Sequence, residues 1–399
     1  MRALSPLLIA LFAANSAFAA ERQVPAQQPV QQPSPAQVPA EPATTAPIPG
    51  IDQGATAPVA TLPKEGDQGE SVFALQVALD RARFSPGVID GHYGKSTHKA
   101  LAAYQESKGR TSGELDDQTW AELTSTNIPS LVHIAVDPGD VGAVGEPLPA
   151  KPENLAGLPA LNYGSLAEAV AEKFHTTPKA LARLNNDQEI VAGADIIVPN
   201  VEGAVTTPST LPVGGPLTTR APATAPAPAQ FTSQPPAPTQ TGMQEADAKW
   251  LATLNSLSVD PSQPEAARVV VDKSTNEVRA FDSADRLIAA FPATIGSGDN
   301  PSPEGDLTIR GVSHNPRFKY DTDVLGERGP KKQFDLAPGP NNLVGIVWVD
   351  LSKPHNGIHG TGEPQNIGKR ESHGCVRLTN WDAARLAQMV KPGTPVAFQ

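Results

Sequence analysis

Three regions of the chain alternate apolar and polar positions in a readable way, and two long stretches do not. In residues 63–126, Val72, Leu75, Leu79 and Ala82 recur at helical spacing behind Gly66-Asp67-Gln68-Gly69-Glu70-Ser71. Leu101 and Tyr104 share one face of a second stretch after Asp90-Gly91-His92-Tyr93-Gly94, and a third, short one starts at Asp116-Asp117 and carries Trp120 and Leu123. This pattern predicts three short helices joined by Gly and Asp loops, with no paired catalytic groups, hence a binding module. In residues 130–200, Leu166, Val170 and Phe174 fall at i, i+4 and i+8 of a helix, Leu181 and Leu184 precede Asn185-Asn186, and Ala194-Asp195-Ile196-Ile197-Val198-Pro199 is strand-like. From Ala267 the period shortens. Val269-Val270-Val271, Val278-Arg279-Ala280-Phe281, Leu287-Ile288-Ala289-Ala290-Phe291, Leu307-Thr308-Ile309, Gly345-Ile346-Val347-Trp348-Val349 and Val396-Ala397-Phe398 are separated by turn clusters, as in a β-meander. One helix, from Asn380 to about Val390, is capped by Thr379 or Asn380 and stopped by Lys391-Pro392-Gly393. The fold predicted is multidomain: a small α-helical domain (63–126), a small α/β segment (130–200), and a mainly β domain (266–399), a small β-sandwich with a C-terminal helix.

Residues 20–62 and 201–247 carry no apolar period, are rich in Pro, Gln, Ala and Thr, and hold 18 of the chain's 42 prolines. They read as extended tethers. At about 3 Å per residue each reaches on the order of 100 Å, so the modules are expected to range independently. Met1-Arg2, the apolar run Leu7 to Ala14, and Ala17-Phe18-Ala19 before Ala20 have the form of a secretory signal over 1–19. Export is therefore expected. No later segment approaches the roughly 20 apolar residues of a transmembrane helix. The net charge of -11, without a long basic run, argues against a nucleic-acid partner or an anionic membrane surface.

Cys375 is the only cysteine, so an intramolecular disulfide is excluded, and a free thiol in an oxidising compartment is buried and inert or it is used. Its neighbours favour use. His359, in Gly357-Ile358-His359-Gly360-Thr361, lies 16 residues before Cys375, in Ser372-His373-Gly374-Cys375-Val376-Arg377-Leu378. Both sit in Gly-flanked turns, where catalytic side chains tend to be presented. A thiol near its free pKa is mostly protonated at neutral pH, and an imidazole supplies the base it lacks. Gly374 allows close approach to a substrate carbonyl, so the N–H groups of Gly374 and Cys375 are candidates for an oxyanion hole. An extended segment would set Arg377 to pair with a carboxylate. His355, His359, His373 and Cys375 also have zinc-ligand chemistry, but Pro354 and Gly357 oppose the helix that would align His355 with His359. Neither a metal nor a cofactor is expected.

Three resemblances follow. Leu75-Gln76, Asp90-Gly91-His92-Tyr93-Gly94 and Ala102-Ala103-Tyr104-Gln105 resemble the peptidoglycan-binding type 1 domain, and residues 130–200 are similar to a LysM-like glycan binder. Ile358-His359-Gly360-Thr361 with Ser372-His373-Gly374-Cys375-Val376-Arg377-Leu378 resembles the YkuD-type L,D-transpeptidase catalytic domain. Thr294-Ile295-Gly296, Pro301-Ser302-Pro303-Glu304-Gly305, Gly339-Pro340-Asn341-Asn342 and Gly345 support it, while Leu343-Val344-Gly345 departs from the family's usual run, a difference of packing more than of chemistry. Residues 313–338, with His314, Tyr320 and Lys331-Lys332, read as an insertion and a candidate cleft wall. The likeness implies Cys375 as nucleophile, His359 as general base and the Gly360 carbonyl as orienter of the imidazole. His373 and Gly374 would be supporting residues, His373 serving the oxyanion, substrate placement or the turn itself. Arg377 and Ser372 would bind substrate. The implied partners are peptidoglycan stem tetrapeptides and glycan in the periplasm. Attack at the third residue would release D-Ala, and an amine on another stem or on an outer-membrane protein would accept the acyl group. Transfer to water, or a silent wall-binding protein of the same fold, are the other readings open at this stage.

Overall fold

The computed structural model describes residues 61–111, 113–201, 240–296, 301–322, 330–369 and 374–399. The expected leader, nearly all of the first tether, residues 202–239 of the second, Ser372 and His373 lie outside the described residues.

The first module is α1 (Glu70–Arg81), α2 (Lys95–Ser107) and α3 (Asp117–Leu123). Val72, Leu75, Leu79, Leu101 and Tyr104, the residues whose spacing predicts the helices, are buried together. Gln76 explains the Asp-Gly motif. Its amide donates to Asp90 Oδ1, the His92 carbonyl and Thr97 Oγ1, and its oxygen accepts from the N–H groups of Asp90 and Gly91, so one buried side chain fastens the loop to α1. Gly91 has φ +69°, and a Cβ there would lie 2.3 Å from the Phe73 ring.

The middle module runs β1 (Leu131–Ala135), α4 (Pro152–Leu155), α5 (Leu166–Lys173), α6 (Pro178–Leu184), β2 (Asp195–Pro199), with β1 and β2 antiparallel. Ser165 and Thr177 cap α5 and α6 by accepting from Glu168 N and Ala180 N.

The third module opens with α7 (Gln240–Ser256), which corrects the tether boundary at 247: no proline occurs between Pro238 and Pro261, and Ala246, Ala248, Lys249 and Leu251 favour helix. Then come β3 (Arg268–Asp272), β4 (Glu277–Phe281), β5 (Leu287–Pro292), β6 (Gly305–His314), β7 (Phe318–Asp321), β8 (Gln333–Leu336), β9 (Val347–Leu351), β10 (Gly357–His359), β11 (Val376–Arg377), α8 (Asn380–Met389) and β12 (Pro395–Phe398). Eight strands form one sheet in the order β11-β10-β9-β6-β12-β3-β4-β5. The long β6 pairs with β12 through its first half and with β9 through its second, its register shifting between Ile309 and Gly311. That irregularity lets one strand serve both halves, so the sheet curls around a single core containing Val271, Phe291, Val349, Ile358, Trp381 and Phe398. The 313–338 insertion holds the β7–β8 hairpin, whose Leu336 packs with Leu155 and Leu161 of the middle module.

Independent modules, the arrangement expected from the tethers, are not what the structure shows: these three share one compact unit. Backbone hydrogen bonds Ser85 N to Ala290 O and Ala290 N to Arg83 O (2.9 and 3.1 Å) lay residues 83–85 along the outer strand β5, and Phe84, Leu287 and Ala290 join the apolar cluster of α1 and α2. An otherwise open sheet edge is thereby covered. Deeper in, Arg385 of α8 donates to both carboxylate oxygens of Asp80 (2.8 and 2.7 Å), and Asp80 Oδ2 lies 2.9 Å from His175 Nδ1. His175 Nε2 donates to the Leu257 carbonyl at 2.7 Å, its ring stacks on Trp381, and Ser85 Oγ donates to Asp382 Oδ2 at 2.8 Å. Burial pushes the Asp80 carboxyl up, yet Arg385 and His175 outweigh it and hold the group well below the usual carboxylate range. Proline-rich composition shows that a stretch buries little of itself; it does not report what its flanks dock against. Among the described residues no helix is long and apolar enough to cross a membrane.

Candidate active site

The parallel pair β10–β11 brings the chemistry together. Ile358 faces Val376 and His359 faces Arg377 in register. Paired residues point to the same side of a sheet, so His359 and Arg377 share one face, and Cys375 immediately precedes β11 beside this pair. On β9, Trp348 pairs with His359, and their rings stack at 5.6 Å and 18°. Gly357 makes room for that indole: a Cβ there would sit 2.5 Å from it.

His359 is 4% exposed. Burial pushes its imidazole down to about 4, with the hydrogen bond to Gly360 opposing and the charge of Arg377 adding. Nδ1 lies 2.8 Å from the Gly360 carbonyl oxygen, which can only accept, so Nδ1 carries the proton and Nε2 keeps its lone pair. Cys375 is half-buried, its Sγ 3.8 Å from the His355 carbonyl oxygen. Burial pushes the thiol up, against a backbone hydrogen bond from Gly357 and the charge of Arg377. At neutral pH the two groups are a neutral thiol and a neutral imidazole.

Two outlying stretches hold the described residues on either side of Cys375. Ser302 Oγ, 3% exposed, accepts from Gly296 N at 2.9 Å and donates to the Gly374 carbonyl at 3.0 Å. The peptide unit is trans, so fixing that carbonyl turns the Cys375 N–H to the opposite side. Gly374 adopts φ +101°, in the region open to glycine. Thr294 and Arg377 exchange two backbone hydrogen bonds of 2.9 Å, and Thr294 Oγ1 accepts from Gly368 N at 2.9 Å. Behind His359, Asn380 Oδ1 accepts from Ile346 N at 3.2 Å, and a Cβ on Gly360 would lie 2.2 Å from that oxygen.

Of the candidate residues, Cys375, His359, Gly360, Gly374 and Arg377 gather here. Ser302, Thr294, Trp348 and Asn380 were not read from the sequence as site residues. For Asn380 the signal was ambiguous: it reads as a cap, but Thr379 takes that role by accepting from Asp382 N, which frees the amide. For the zinc alternative, His355 turns its main-chain carbonyl, not its ring, toward Sγ, and no group of three or more ligating side chains is placed to hold a metal among the described residues.

Comparison with known proteins adds the following. Residues 266–397 match the family model described as "L,D-transpeptidase catalytic domain" (YkuD), and residues 68–123 match "Putative peptidoglycan binding domain". The "Putative L,D-transpeptidase YkuD" of Bacillus licheniformis is 24% identical over 238 residues, 59% of this chain and 94% of that protein. The "Probable L,D-transpeptidase YbiS" of Escherichia coli K12 is 43% identical over 135 residues, 33% of this chain and 44% of that protein. This chain therefore spans nearly all of the first and less than half of the second. A solved L,D-transpeptidase from Mycobacterium smegmatis aligns at 20% identity over 33% of this chain and 57% of its own, with a TM-score of 0.27. Residues 266–397 are thus similar to the L,D-transpeptidase catalytic domain of the YkuD family, and residues 68–123, earlier in the same chain, to a peptidoglycan-binding domain.

Proposed function

We propose that this chain is an exported, wall-associated enzyme of the periplasm in which Cys375 and His359 carry out L,D-transpeptidation. The observation that supports the reading is the in-register pairing of β10 with β11, which carries the buried His359, its Nδ1 bound to the Gly360 carbonyl, beside the strand that Cys375 leads into.

The donor is a stem tetrapeptide. His359 Nε2 takes the thiol proton as Sγ attacks the carbonyl carbon of the third residue, and the oxyanion that forms is met by the N–H groups of Cys375 and Gly374. Collapse breaks the C–N bond to the terminal D-Ala, whose nitrogen takes the proton from the imidazolium and leaves. The thioester is then attacked by an amine of a second stem or of an outer-membrane protein. His359 removes the amine's proton, and the released thiolate is reprotonated. Because burial holds the imidazole low and the thiol high, the resting thiol and imidazole are both uncharged and the proton moves only during attack. Arg377 and Ser372 are assigned to the substrate carboxylate, and His373 to the turn or the oxyanion. The first module and the middle module, read as LysM-like, hold glycan.

The test is incubation of the purified protein with disaccharide tetrapeptides, followed by mass spectrometry. Cross-linked dimers are expected. Tripeptide alone would replace transfer with hydrolysis, and turnover surviving Cys375→Ala would overturn the mechanism.

A further inference from the structure

Glu172 lies on α5 of the middle module, 3% exposed, and no part of the chemistry above uses it. Its Oε1 accepts a hydrogen bond of 2.5 Å from Asn380 Nδ2 of the catalytic domain. The same amide nitrogen donates to the Pro340 carbonyl at 3.0 Å, and the amide oxygen accepts from Ile346 N. A backbone acceptor on one side and a backbone donor on the other leave only one orientation for the amide. Its oxygen is wedged between two glycines: a Cβ would approach it to 2.1 Å at Gly345 and to 2.2 Å at Gly360. The Gly360 carbonyl is the acceptor that fixes Nδ1 of His359.

We propose that Glu172 is a positioning residue for His359: through Asn380 it sets the Gly360 peptide, and so the tautomer and orientation of the imidazole. The middle module is then a structural part of the base's support as well as a neighbour of the catalytic domain. Burial pushes the Glu172 carboxyl up to about 8, opposed by the Asn380 bond, so the side chain is a neutral acid at neutral pH and glutamine mimics it closely. The other contacts between the modules and α8, among Asp80, His175, Asp382 and Arg385, do not include Gly360 or Asn380. A role confined to holding modules together would therefore be shared with them, and a positioning role would not.

The proposal rests on His359 being the base, and its test separates the two. In full-length protein labelled with 15N-histidine, the His359 ring resonances, assigned by their loss in His359→Gln, report the tautomer directly. Glu172→Ala is expected to move them from a single Nδ1–H form toward a mixture and to lower kcat about tenfold with KM unchanged, as a modest misplacement does. Glu172→Gln is expected to match wild type in both. Val170→Ala, which loosens the core of the same helix without touching Asn380, is expected to lower Tm and leave the ring signals unmoved. Unchanged ring signals in Glu172→Ala, or equal changes in Val170→Ala, overturn the proposal. If Glu172→Ala does not fold, Glu172→Asp, which withdraws the carboxyl by one methylene, carries the same test. Absence of turnover in wild type alongside the expected ring shifts would refute the enzymatic reading and leave the positioning intact.

Discussion

Replacing Glu172 by glutamine should change how stability depends on pH, in a direction the structure fixes. In the folded chain burial holds this carboxyl protonated up to about pH 8, against the pull of the Asn380 hydrogen bond and with the nearby Glu168 adding to the rise. In the unfolded chain it titrates near the ordinary glutamate value of about 4.3. Between those values the folded state holds one proton more than the unfolded state, so the group favours folding at acid pH and its contribution is lost as pH rises. The slope is about 1.4 kcal/mol per pH unit, or roughly 3 kcal/mol between about pH 5.5 and pH 7.5, and it vanishes once pH exceeds the folded pKa. Glu172→Gln keeps the acceptor for Asn380 and has no proton to lose. Urea unfolding followed by tryptophan fluorescence, run on both proteins at a series of pH values, should show the variant gaining on wild type by that amount as pH rises. A difference that stays constant would mean that Glu172 is ionised in the folded state, and the account of its burial would be wrong.

Ser302→Ala removes both hydrogen bonds that tie Gly296 N and the Gly374 carbonyl; kcat/KM should fall about tenfold and stability by about 1–3 kcal/mol, measured by steady-state cross-linking and by denaturation. Arg385→Ala strands Asp80 in a buried site and should cost about 3–5 kcal/mol at neutral pH by urea unfolding. Because the Asp80 carboxyl is depressed in the folded state, its stabilisation exists above the ordinary carboxylate range and is lost as pH falls toward the folded value, so the gap between wild type and Arg385→Ala should narrow in acid. Deleting residues 63–126 should uncover β5, lowering Tm and promoting aggregation seen by light scattering, in addition to weakening sedimentation with sacculi.

The elements were largely legible because their signals are local. Val72, Leu75 and Leu79 mark α1 by spacing, the Val269-Val270-Val271 run marks β3, and Thr379 caps α8 with a hydrogen bond to a residue three positions on. His359 and Cys375 were legible because glycine-flanked turns and a motif surround them. What was not legible lies in pairings across long separations. Ser302 meets Gly374 across 72 residues and Asp80 meets Arg385 across 305, and nothing in either neighbourhood announces the partner. The docking of the modules is hidden for the same reason: Phe84 and Ala290 read as ordinary apolar positions of separate domains until β5 is seen to need a neighbour. Glu172 sits in a regular amphipathic helix, where a carboxylate ordinarily faces water, and only the amide of Asn380 explains its burial.

The Asp80–His175–Arg385 junction also constrains the order in which the protein can mature. Its members come from α1, from the turn after α5, and from α8, so the chain must be present through α8 before the arrangement can close. Until α8 arrives, Asp80 has no guanidinium, and burying its carboxylate unpaired is unfavourable, which disfavours docking of the first module before α8 is in place. Contacts of such separation form late. A chain truncated before α8 would lack the guanidinium that Asp80 meets, and the seam between the modules could not close.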